Sequence, residues 1–172
     1  HTRCSRDWSS DVCSSDLTQA KNDTAIKGVV LTCLGRTFVA GSDISEFGKT
    51  MQKPTTIDVI DAMEALGMAA VAAIFGTPMG GGLELALGCH FRIAAQKTKP
   101  ALPEIKLGLL PGAGGTQRLP RLAGMETAAK MILSGDPISA KDALECGLVD
   151  ELFDGDPIAA GVAFVKKVIA ED

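Results

Sequence analysis

Val71-Ala72-Ala73-Ile74-Phe75-Gly76-Thr77-Pro78-Met79-Gly80-Gly81-Gly82-Leu83-Glu84-Leu85 decides the fold. Its first five residues are a short apolar run, read as a strand buried on both faces. Gly76, Thr77 and Pro78 break that run, and three successive glycines open an apolar helix that carries Glu84. Residues 29–44 (VVLTCLGRTFVAGSDI) echo the same order faintly, from buried strand to glycine loop to helix. Each unit is expected to offer a loop with unpaired N–H groups.

Working outward, residues 28–34 and 90–94 read as further buried strands, and residues 148–153 as a fourth. Helices are expected over residues 57–66, 116–123 and 126–133, the last two separated by Gly124, and over residues 158–169. Ser139 is placed to cap another helix, which Gly147 stops. Residues 18–24 read as the end of a helix. Alternation of strands and helices makes the class α/β. Residues 1–17 show no helical or strand period and read as a non-native or disordered tail. Residues 18–172 then form one domain with no linker.

Composition narrows the function. The chain has 172 residues, 46% of them hydrophobic but only 4% aromatic, with no Tyr. Little is left for base stacking, and a net charge of −4 opposes a nucleic-acid surface. No run of about eighteen apolar residues suggests a membrane span. The five cysteines are irregularly spaced, without a CxxC pair, so neither a disulfide framework nor a metal site is expected. With no charged-then-apolar leader, a reducing cytoplasm is the expected compartment.

Glycine loops at helix starts invite phosphate, but the familiar patterns fail. Gly48-Lys49-Thr50 has Asp43 where the phosphate-binding loop requires Gly, and Gly112-Ala113-Gly114 has Gln117 where the dinucleotide fingerprint requires Gly. No GxSxG elbow occurs. Each loop alone also fits a tight turn between packed elements. Glu84 and Glu104, each among apolar residues near a helix start, fit either a charge–dipole contact or an acid/base role.

Three motifs in order join these features. Phe38-Val39-Ala40-Gly41-Ser42-Asp43-Ile44, then GGGLELALGC (residues 80–89), then LPEIKLGLLPGAGGTQRLPRL (residues 102–122) resemble the enoyl-CoA hydratase (crotonase) superfamily. The likeness is strongest to the hydratase part of bacterial bifunctional enoyl-CoA hydratase/3-hydroxyacyl-CoA dehydrogenases. It implies a ββα spiral, truncated here at both ends relative to the longer family domain, and a homo-oligomer, trimer or hexamer, in the full-length protein. It also implies acyl-CoA thioester substrates and no cofactor, coenzyme A being part of the substrate.

The resemblance assigns residues. Backbone N–H groups of Ser42 and Gly81 hold the thioester oxygen. Glu84 helps activate a water, Glu104 exchanges a proton with the substrate α-carbon, and the Gly112 N–H helps position the water. Backbone around Ala40, Gly41, Asp43 and Ile44 lies along the CoA adenine. The implied reaction is hydration of trans-2-enoyl-CoA to 3-hydroxyacyl-CoA in fatty-acid β-oxidation. The alternatives are an enoyl-CoA isomerase using Glu104 alone, or a non-catalytic truncated homologue. Pro100 departs from the family's short strand before Glu104, since Pro removes a ladder N–H.

Overall fold

The computed structural model describes residues 10–41 and 53–171. Four strands, β1 (Gly28–Leu31), β2 (Ala69–Ile74), β3 (Phe91–Ala95) and β4 (Glu151–Phe153), form a parallel sheet in chain order. Parallel neighbours require crossovers. These include α2 (Thr56–Glu64) before β2 and α3 (Gly81–Leu87) before β3. The 3₁₀-helix Pro103–Leu107, α4 (Gly115–Ser134) and α5 (Ala140–Glu145) precede β4. The expected α/β class is therefore observed. No helix of the described residues is long and apolar enough to cross a membrane.

The two-residue period of β2 sorts its side chains between two cores. Ala70, Ala72 and Ile74 join Met63, Leu83, Leu85, Leu119 and Met131 beneath α2, α3 and α4. Val71 and Ala73 face Phe164 and Val165 of α6 (Pro157–Glu171) on the other side. Such burial on both faces explains why β2 reads as a continuous apolar run.

The echo seen in the sequence has a structural meaning. Beyond each of the first three strands the chain makes a second extended step. Met79 N–H donates to the Val39 carbonyl at 3.3 Å, Ala101 N–H to Pro78 at 3.1 Å and Gly80 N–H to Ala101 at 3.1 Å. Met79 and Ala101 form a parallel bridge. Equivalent positions of the repeated units thus lie side by side, which brings their loops to one place. Pro100 does no harm here. Lys99 and Ala101 donate to Gly76 and Pro78, so the missing N–H between them belongs to the alternate direction that faces away from this neighbour.

The N-terminal segment departs from the sequence reading. α1 spans Ser10–Asn22, so a helix begins inside the stretch read as lacking a period, and Leu17 and Ala20 are buried. A mostly polar sequence with few apolar positions leaves almost no periodic signal. Residues 1–9 lie outside the described residues. β1 is also shorter than residues 28–34, and β4 starts only at Glu151.

Gly124 breaks α4 as expected, with non-helical φ 78° and ψ 159°. Ser139 caps α5, accepting from the Asp142 N–H at 3.1 Å, while the Asp142 carboxylate accepts from the Ser139 hydroxyl at 2.7 Å. Ser139→Ala removes this reciprocal cap and is expected to lower Tm by about 2–4 °C in a thermal melt.

Candidate active site

The two glutamates reach one region from separate elements. Glu84 sits on α3, whose N-cap Gly80 adopts φ 52°. Its side chain is buried at 2% exposure among Leu83, Leu85 and Ala86. The chain compensates for the buried carboxylate with the loop that opens α4. Ala113 and Gly115 N–H groups both donate to Glu84 Oε1 at 2.8 Å. Such donors at a helix start suit an anion. Both hydrogen bonds converge on Oε1 and hold the carboxylate in one orientation.

Glu104 is presented differently. It lies in the first turn of the 3₁₀-helix, behind Pro103, and its Oε2 is buried without a hydrogen-bond partner among the described residues. Its Oε1 lies 2.9 Å from where a Cβ on Gly80 would stand, so any side chain there would push the carboxyl aside. Burial pushes the Glu104 carboxyl above its ordinary 4.5, a hydrogen bond to its own backbone opposes this, and the charge of Glu84 adds to the rise. The two acids therefore feel each other but differ in surroundings: Glu84 is clamped by two N–H groups of another segment, while Glu104 is half-buried with Oε2 unengaged among the described residues.

That difference has a consequence for stability. Below pH 4.5 Glu104 is protonated in both folded and unfolded chains and its burial costs little. As pH rises through the raised folded value, the folded state must bury a charge or hold a proton, and stability falls. Glu104→Gln removes this penalty. Its Tm is expected to exceed that of the parent near neutral pH, with the gap closing on acidification. Parallel melts between about pH 4 and pH 8 measure it; a gap that widens in acid contradicts this electrostatic account.

Gly81 is the first residue of α3, and its N–H donates to no carbonyl among the described residues. Glu104 packs against Gly80 immediately before it. Ala40 is exposed and Gly41 half-buried; a Cβ on Gly41 would stand 3.4 Å from the Met79 carbonyl oxygen. The Ala40–Gly41 loop and the α3 N-terminus are thus neighbours. Ser42, Asp43 and Ile44 lie outside the described residues. Gly112 is exposed at the turn of its loop.

The sequence reading named Gly112 in this loop but missed Ala113 and Gly115. The available signal was the glycine loop opening α4, taken there as a ligand cradle; in the structure its N–H groups meet the protein's own Glu84. A separate cavity of about 700 Å³ lies between α1, β1 and α6. Asp16 is the sole carboxylate in its lining, so it offers no pair of acids.

Comparison with known proteins places the chain in a family. A family model described as enoyl-CoA hydratase/isomerase matches residues 8–163. The chain is 40% identical over 158 residues to the peroxisomal bifunctional enzyme of Danio rerio, covering 92% of this chain and 22% of that protein. It is 43% identical over 143 residues to a probable enoyl-CoA hydratase of Bacillus subtilis (strain 168), covering 79% and 55%. The chain thus spans about a fifth to a half of the length of these curated relatives. Among solved structures, Pseudomonas aeruginosa DspI superposes with TM-score 0.86 at 35% identity, over 96% of this chain and 67% of that one.

Proposed function

The chain belongs to the enoyl-CoA hydratase/isomerase family, and from that membership we propose that it carries the centre of a trans-2-enoyl-CoA hydratase. The observation that supports this most is the pairing of a clamped Glu84 with a half-buried Glu104, whose Oε2 is unengaged among the described residues, beside the α3 N-terminus. In this reading the thioester oxygen sits at the Gly81 N–H, with the Ser42 N–H as second donor. Water adds to the β-carbon as Glu84 takes its proton. The electron pair of the double bond moves toward the thioester, and charge builds on its oxygen. Glu104 then delivers a proton to the α-carbon, giving 3-hydroxyacyl-CoA.

Magnitudes favour this division of labour. Each fixed N–H donor to a developing oxyanion is typically worth about 10²–10³ in rate. Acid/base groups contribute about 10²–10⁴. A carboxyl with a raised pKa holds a transferable proton closer to neutral pH than an ordinary glutamate does. One held by two N–H donors is oriented to accept from a water. The same reading takes an acyl-CoA substrate, no cofactor, a role in fatty-acid β-oxidation and a cytoplasmic location. Assembly as a trimer or hexamer belongs to it too, and the exposed Leu107 and Leu110 next to Glu104 supply apolar surface for it.

One observation favours a second reading. Among the described residues Glu104 alone has an unengaged buried side-chain oxygen, and an enoyl-CoA isomerase needs only that carboxyl to move a proton between carbons. The two are separated by assaying crotonyl-CoA hydration, through loss of enoyl-thioester absorbance, beside isomerisation of a 3-enoyl-CoA. Hydration supports the proposal. Isomerisation without hydration replaces it. Absence of both, with no CoA binding, leaves a non-catalytic homologue.

A further inference from the structure

Arg118 lies one turn into α4, just past the loop that holds Glu84. Its guanidinium makes a fork: Nε donates to Glu64 Oε1 at 2.7 Å and Nη1 to the Ala113 carbonyl at 3.2 Å. Ala113 is thereby held at both backbone polar groups, its carbonyl by Arg118 and its N–H by Glu84. Glu64 is the last residue of α2, so the contacts close a ring from α2 through Arg118 and the loop to Glu84 on α3. The guanidinium also fills the space beside Gly114, where any Cβ would overlap Nη1.

The ion pair is partly solvated, at 22% and 49% side-chain exposure. Pairs of that kind contribute little to stability. Its distinctive feature is geometric. A planar guanidinium donates to a carboxylate and a carbonyl from two rigidly spaced nitrogens, a geometry that a single-point ammonium does not hold. The hydrogen bond from Arg118 holds the Glu64 carboxyl below its ordinary range, and Arg118 in turn feels the charge of Glu84.

We propose that Arg118 is a positioning residue for the acid/base pair, fixing residues 111–115 so that the Ala113 and Gly115 N–H groups keep Glu84 in register. Its kinetic consequence rests on the hydratase reading; its structural consequence does not. Arg118→Met removes the fork at similar length, and Arg118→Lys keeps the charge without the fork. Amide hydrogen exchange by NMR and crotonyl-CoA kinetics are measured on the full chain.

In both variants the Ala113 and Gly115 amides are expected to exchange about tenfold faster, with the Val71 and Ala73 amides of β2 unchanged. Hydration kcat falls about 10- to 100-fold with KM within a factor of about two. Unchanged exchange at Ala113 and Gly115 overturns the proposal. So does equal acceleration at Val71 and Ala73, which marks plain loss of stability, or a Lys variant that behaves like the parent. If the parent hydrates nothing, the hydratase reading falls while the exchange comparison still decides the role of Arg118.

Discussion

Glu104→Gln is expected to lower kcat for crotonyl-CoA hydration by about 10²–10⁴ while leaving CoA affinity within a factor of about two. The substitution keeps the shape of the side chain and removes its transferable proton. Glu104 packs against Gly80 through Oε1, a contact that a Gln can reproduce. The loss should therefore appear in the transition state and not in ground-state binding. Isomerisation of a 3-enoyl-CoA should fall with it, because that reaction also passes its proton through Glu104. Glu84→Gln supplies the contrast. Its amide oxygen can still accept from Ala113 and Gly115, so the loop stays in place, but the remaining NH₂ cannot take a proton from water. Hydration should collapse while isomerisation persists. Rate loss matched by an equal loss of CoA binding in Glu104→Gln contradicts the assignment of Glu104 to the chemical step.

Much of this architecture is visible in the residues themselves. The aliphatic run of β2 announces a strand because both of its faces are covered, so nothing polar interrupts it, whereas β3 carries the buried Arg92 among its apolar residues. Ser139 with Asp142, and Gly124 between two helical patterns, declare caps and breaks through local chemistry that needs no tertiary context. The twenty-residue interval between Glu84 and Glu104 belongs to the family resemblance rather than to any period. What stays hidden is contact between distant segments. Nothing in GAGGTQR states that its N–H groups will meet a carboxylate some thirty residues upstream, nor that Arg118 will reach back to Glu64. The start of α1 at Ser10 is hidden for the opposite reason, since a mostly polar stretch gives no periodic signal.

The echo between residues 29–44 and 71–85 links fold to site. Two copies of one strand–loop step, stacked side by side through Val39 and Met79, deliver the Ala40–Gly41 loop and the Gly80–Gly81 loop to the same place. The oxyanion-binding arrangement proposed for Ser42 and Gly81 needs two donors from two segments. A stacked repeat supplies that with one kind of local structure used twice. The third step, at Ala101, continues directly into Leu102-Pro103 and so sets Glu104 beside them.

Gly82→Ala tests how tightly that stacking is set. Helix propensity alone favours the change by about 0.8–1.0 kcal/mol. Sterics oppose it. A Cβ on Gly82 would overlap the Val39 carbonyl oxygen and stand 2.6 Å from its carbonyl carbon and 2.8 Å from its Cβ. These are mostly backbone atoms in a fully packed region, and the same carbonyl accepts the Met79 N–H. Relief requires α3 to retreat from the Val39 step, which breaks that hydrogen bond and shifts the Gly81 N–H away from its neighbouring loop. Overpacking of this kind typically costs about 1–3 kcal/mol, and contact with backbone places it at the upper end. After the propensity gain, the net loss should be about 2 kcal/mol, read as a Tm lower by about 4–8 °C. Gly112→Ala is the matched control for stability. It has open space around its Cβ and no positive φ, so its Tm should stay level or rise. A Gly82→Ala protein that melts at or above the parent temperature means that the strand step and α3 are not locked together, and the paired-loop account of the oxyanion site fails with it.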